Sequence, residues 1–178
     1  MSLYNCSFLF ALGLQYFNTG MVMSMIEVAI QYMFLQIYGI EPMKANLYLS
    51  YINLPWTPKI LYGIITDCFP IFGSSRRAYI VLMGFVQSMA ALAIATIRFE
   101  EAKSVMLLAL VSNFGGAFMD VIADGMMVVN ARKDPVGGSE DLQSYSWIFY
   151  GLGGIFGCGL SGWLLSGQPD PVTGEATG

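Results

Sequence analysis

Residues 78–97 read Ala78-Tyr-Ile-Val-Leu-Met-Gly-Phe-Val-Gln-Ser-Met-Ala-Ala-Leu-Ala-Ile-Ala-Thr-Ile97, a stretch without a single charged side chain. As a helix rising ~1.5 Å per residue it is about 30 Å long, the thickness of a bilayer's hydrocarbon core. The same pattern recurs on either side of it. No charge occurs from Met1 to Ile26, from Ser104 to Met119, or from Leu142 to Pro169. Several such runs in one chain specify an all-α, polytopic transmembrane helical bundle.

Composition agrees. Charged residues make up 11% of the 178-residue chain and hydrophobic residues 56%, with a mean hydropathy of +0.60. A soluble domain carries about 25% charged residues. The net charge of −4 and the missing basic patch exclude a nucleic-acid partner. Histidine, the commonest general base and metal ligand, is absent from the sequence. Cys6, Cys68 and Cys158 lie far apart, without metal-ligand spacing. Neither a metal site nor a cofactor is expected, and nothing points to an enzyme. Met1–Gly13 lacks the basic start and small-residue cleavage site of a signal peptide.

Five spans are expected within residues 1–166: about 8–38, 45–66, 79–97, 105–130 and 145–165. Gly39 and Pro42 close the first. The second carries Pro55, Pro58 and Lys59. The tail, 167–178, is rich in Pro, Gly, Asp and Thr and reads as irregular. An odd span count leaves the last helix without its partner, so the chain is expected to be truncated. The short loops after spans two and four hold Arg76, Arg77, Arg132 and Lys133, against Lys44, Arg98 and Lys103 opposite. The positive-inside rule then places the N-terminus in the cytoplasm. The sequon Asn5-Cys6-Ser7 would lie there too, and is expected to stay unmodified.

In so apolar a chain the exceptions carry the information. Ionisable groups inside a membrane are costly and face a bundle interior or a wet cavity. Here they are Glu27, Lys59, Asp120 and Asp124, with Asp67 at a helix end. Asp120 and Asp124 share one helix face, which Asn113 and Gly116-Ala117 extend. Gly20, Ser24, Glu27 and Gln31 make a second polar stripe, and Lys59, Tyr62, Gly63 and Thr66 a third. Three polar faces beside one apolar helix, span three, suggest a cavity with a lipid-facing support. Lys59 lies about fourteen residues into span two and Asp120 about fifteen into span four, so at ~1.5 Å per residue both reach similar depth. Asp120 is therefore the expected counter-ion of Lys59. A purely structural pairing of these charges is the competing reading. In span five, Gly153 and Gly157 form a small-xxx-small pair that favours close helix packing.

One run resembles a known signature. Gly63-Ile-Ile-Thr-Asp67, followed by Gly73-Ser-Ser-Arg76-Arg77, is similar to the loop between helices two and three of the major facilitator superfamily. Leu54-Pro-Trp-Thr-Pro-Lys-Ile-Leu-Tyr-Gly63, Asp67-Cys-Phe-Pro-Ile-Phe-Gly73 and Asp120-Val-Ile-Ala-Asp124-Gly resemble the folate–biopterin transporter family. The resemblance runs from about Tyr16 to Gly167. It implies five helices of an N-terminal six-helix half, with a C-terminal half-bundle missing. It also implies a secondary transporter of folate or related pterins, often proton-coupled. Gly63, Asp67, Gly73, Arg76 and Arg77 would form the gating loop, and Glu27, Lys59, Asp120 and Asp124 the substrate or proton path. The alternatives are a truncated, non-transporting membrane paralogue and a facilitator for another small solute. An intramembrane aspartyl protease would need two facing aspartates, and no Gly-x-Gly-Asp is present.

Overall fold

The computed structural model describes residues 4–69, 71, 76–134 and 137–166. Among them the regular elements are helices: α1 (Cys6–Tyr32), α2 (Pro42–Ile52), α3 (Lys59–Cys68), α4 (Arg77–Thr96), α5 (Ala102–Ala131) and α6 (Gly138–Ser166). Asn5 caps α1, its side-chain Oδ1 accepting from the Ser7 N–H at 3.1 Å. At its far end α1 widens into a π-turn over Met33–Ile37. Gly39, at φ +59°, then lets the chain double back, with the Ile40 N–H donating to the Phe34 carbonyl.

Cys6–Ile37, Arg77–Thr96, Ala102–Ala131 and Gly138–Ser166 are each long and apolar enough to cross a membrane. Residues 45–66, taken from the sequence as one span, fold instead as a broken helix. Pro55 has no N–H to donate, and its ring and that of Pro58 crowd the preceding turn. The backbone passes from α2 through a 3₁₀ turn, Leu54–Trp56, before α3 starts at Lys59. The tail, 167–178, lies outside the described residues.

The chain divides into two compact units. The first draws on residues 1–46 and 131–178 and is built on the pairing of α1 with α6. That pairing is a contact of backbones. A Cβ placed on Gly20 would strike the Tyr150 carbonyl, and one on Gly153 the Phe17 carbonyl. One on Gly157 would lie 2.5 Å from the Met21 carbonyl oxygen. Gly154 faces the Ser24 hydroxyl, and the Tyr145 hydroxyl reaches across to donate to the Leu9 carbonyl at 3.1 Å. The close packing expected at Gly153 and Gly157 is present, while Gly151, Gly159 and Gly162 of the same helix meet nothing. The outer face of α6 carries exposed Trp147, Ile148, Ile155, Phe156 and Trp163, an apolar exterior suited to lipid.

The second unit, 47–130, is organised by α5, whose stretch from Ser112 to Ala123 is buried except at Phe114 and Val121. Gly115 brings α4 close, since a Cβ there would lie 2.7 Å from the Met83 carbonyl oxygen. Gly116 faces the Gln87 amide. It therefore serves the α4 contact rather than the polar stripe in which the sequence placed it. Phe118 stacks between Tyr62, at 4.9 Å between centroids, and Tyr79, at 5.5 Å. Such ring pairs contribute about 0.5–1.5 kcal/mol beyond their burial. The two tyrosine hydroxyls bracket α3. Tyr62 donates to the Pro55 carbonyl just before it, and Tyr79 to the Phe69 carbonyl just after, both at 2.8 Å. The outward face of α4, with Val81, Leu82, Phe85 and Leu92, is exposed and apolar.

Candidate functional site

The second unit holds a polar constellation in apolar surroundings. Lys59 is the first residue of α3, placed there by the proline-broken backbone before it. Asp120 lies in the middle of the buried stretch of α5. The Lys59 ammonium donates to Asp120 Oδ2 at 2.5 Å, forming the ion pair expected from their matched depths. The two partners are unequally covered: the lysine side chain is 36% exposed and the aspartate side chain 11%. Stranding a charge in such a place is costly, whereas the pair with its hydrogen bond is tolerated.

Trp56 completes the arrangement. The 3₁₀ turn sets its indole beside Lys59, with the ammonium 4.6 Å from the ring centroid, within reach of a cation–π attraction. Its Nε1–H donates to Asn113 Oδ1 at 3.1 Å. Asn113 precedes Asp120 by two helical turns, so both side chains stand on one face of α5. Trp56 was not among the site residues expected from the sequence. Its position three residues before Lys59, between two prolines, was the available signal. Only the observed backbone break makes the two side chains meet.

The other expected residues are distributed as follows. Asp124 is half-buried one turn beyond Asp120. Glu27 lies on α1, in the first unit, where it is exposed and belongs to no ion pair among the described residues. Gly20 and Ser24 of its stripe turn toward α6. In the loop expected to act as a gate, Arg76 Nη2 lies 3.4 Å from Asp67 Oδ1. The Arg76 guanidinium also covers Gly125 of α5, its Cζ 3.7 Å from where a Cβ would stand. A Cβ on Gly63 would meet Val121 only at an ordinary 3.6 Å, and Thr66 folds its hydroxyl back onto the Gly63 carbonyl. Arg77 is exposed at the start of α4. Gly73 lies outside the described residues.

This arrangement fixes a cation and its counter-ion beside an aromatic face, and adds an exposed carboxylate–arginine contact at a helix end.

Comparison with known proteins gives the family. The model of the BT1 family matches residues 19–173. The "Probable folate-biopterin transporter 4" of Arabidopsis thaliana is 32% identical over 167 residues, covering 93% of this chain and 34% of that protein. The "Folate-biopterin transporter" of Synechocystis is 29% identical, over 84% of this chain and 30% of its own. The "Folate transporter 1" of Plasmodium falciparum is 26% identical, over 78% and 28% respectively. This chain thus spans about a third of the length of these relatives. No solved structure matches it. Apolar helices long enough to cross a bilayer, together with a family match over most of the sequence, make this an integral, multi-pass membrane protein belonging to the BT1 family.

Proposed function

We propose that this chain is part of a secondary active transporter of folate or related pterins, rather than an enzyme, and that it works by alternating access coupled to protons. The observation that carries this reading is the Lys59–Asp120 pair inside an apolar helical unit, in a family whose relatives are named for folate and biopterin transport. A folate presents glutamate carboxylates at one end and a flat ring at the other. A cation flanked by an indole suits both. An aspartate that exchanges partners during the cycle is also the group to which the coupling proton is assigned in this reading.

In this reading residues 1–166 contribute five spans of the N-terminal half of a major-facilitator bundle, with the broken segment 45–66 as the second. A further half-bundle completes the machine, because alternating access requires two bundles rocking about a central site. Glu27 and Asp124 extend the proton path. Asp67 and Arg76 form the latch of the cytoplasmic gate, made in one state and broken in the other, with Gly73 and Arg77 in the same loop. The weak, exposed Asp67–Arg76 contact suits a switch that must open. The N-terminus faces the cytoplasm, so Asn5 carries no glycan in the mature chain.

Uptake assays decide the matter. Joined to the complementary half of a full-length relative, the chain should give saturable uptake of labelled folic acid or biopterin that rises with an inward proton gradient. The 178-residue chain alone should give none. Uptake that ignores both the solute and the gradient would refute the proposal.

A further inference from the structure

Lys59 is held asymmetrically. Its ammonium carries three N–H donors. One goes to Asp120, which is nearly covered, and the Trp56 ring flanks the group at 4.6 Å. The lysine side chain is 36% exposed against 11% for the aspartate, so of the two partners the cation is the more open to a ligand. Trp56 is fixed in turn by its bond to Asn113 and by the backbone break at Pro55 and Pro58. The indole therefore holds the ammonium in place without offering a hydrogen-bond acceptor that would compete with a ligand for its N–H donors.

We propose that Lys59 is an anion seat for a ligand carboxylate, that Trp56 is the residue that positions it, and that Asp120 competes with the ligand for the same charge. This rests on the transport reading given above and adds to it the polarity of the site. An incoming carboxylate meets a pair whose net charge is zero, and its gain is limited by what Asp120 already takes. Removing the negative charge of Asp120 should then strengthen binding, even though Asp120 belongs to the site. A purely structural pair predicts the opposite, since losing either partner would only loosen the fold. The seat takes a flexible carboxylate such as a glutamate side chain. A flat ring attached to it would lie near the indole.

The test is isothermal titration calorimetry on the detergent-solubilised protein in which this chain is joined to the complementary half of a full-length relative, with two probes: N-acetylglutamate, which offers carboxylates alone, and folic acid. For N-acetylglutamate, Lys59→Gln should abolish binding. Asp120→Asn should tighten it about fivefold, the ratio that a partly exposed ion pair is worth at the upper end of its usual range. Trp56→Leu should weaken it by about threefold to thirtyfold, as loss of a cation–π contact does, and Trp56→Phe should restore most of that loss because the ring face remains. Circular dichroism and gel filtration identify variants that fail to fold. If Asp120→Asn is among them, the Lys59 and Trp56 series decides by itself.

Binding that falls equally in Asp120→Asn and Lys59→Gln, or that ignores Trp56→Leu, overturns the seat. Folic acid bound independently of Lys59 overturns the seat while leaving the transport reading intact. N-acetylglutamate bound in the expected pattern, with folic acid not bound, leaves the seat and removes the folate reading. Failure of the joined parental protein to bind either probe overturns both.

Discussion

The two units solve the problem of association in lipid differently. Where α1 meets α6, polar side chains play little part: Gly20, Gly153 and Gly157 remove the atoms that would keep two backbones apart. Where α3 and α4 meet α5, a close approach at Gly115 is joined by an ion pair, a tryptophan–asparagine bond and three stacked rings. Lipid tails are as apolar as leucine, so helix association there depends on close packing and on polar contacts between helices. The first unit relies on close packing, the second on both. A unit that invests in charge where packing would suffice is where a ligand or a proton is expected to act.

The largest effect should come from the packing unit. Gly153→Leu places a side chain where the Phe17 carbonyl stands, and α1 and α6 must separate. A loss of about 3 kcal/mol, at the upper end of ordinary overpacking, should appear in thermal unfolding in detergent. Gly159→Ala on the same helix meets nothing and should stay within about 0.5 kcal/mol of the parent. Equal effects at the two positions would contradict the close backbone contact of α1 with α6.

Next comes the charged unit. Lys59→Ala strands Asp120, and should cost about 3 kcal/mol, the lower end for a broken buried pair because the lysine is partly exposed. Asp120→Ala should cost less, about 1–2 kcal/mol, since the lysine left behind can reach water. Chemical unfolding of the two variants side by side checks the order. A reversed order would mean that Lys59, not Asp120, is the enclosed partner.

Smaller again is the cap of α1. Asn5→Ala removes the bond to the Ser7 N–H and should lower stability by about 1 kcal/mol, read in the same unfolding assay. The smallest structural effect belongs to the latch. Asp67→Asn breaks an exposed contact and should change stability by less than about 0.5 kcal/mol. It should nevertheless slow uptake severalfold in a complete transporter, because it biases one gate state. Unaltered uptake would reduce the contact to surface decoration.

Much of this was legible in the sequence. Charge-free runs of bilayer length fix helices and membrane alike, because lipid leaves the backbone no other way to satisfy its polar groups. The Lys59–Asp120 pair was legible because cost and depth can both be counted along a chain. The break at 45–66 was not. Its prolines are visible, but a run of apolar residues looks the same whether the helix continues or restarts. The role of Trp56 was lost with that break, since its indole reaches Lys59 only from the 3₁₀ turn. Helix phase misled at Gly116, which lies near the Asp120 stripe by spacing yet packs on Gln87. Spacing gives which residues share a face, not what that face meets, and Glu27 and Ser24 part company for the same reason.

The most direct measurement is the double-mutant cycle of Lys59→Ala and Asp120→Ala, read as folded yield and unfolding free energy of the purified chain. Each single variant leaves an uncompensated group, and the double variant leaves none. If the two side chains form one functional pair, the double variant recovers most of the stability lost in Lys59→Ala, with a coupling energy of about 3 kcal/mol. It should still bind neither folic acid nor N-acetylglutamate. A double variant as unstable as the sum of the singles would contradict the pairing, and one that still binds either ligand would remove Lys59 from the site.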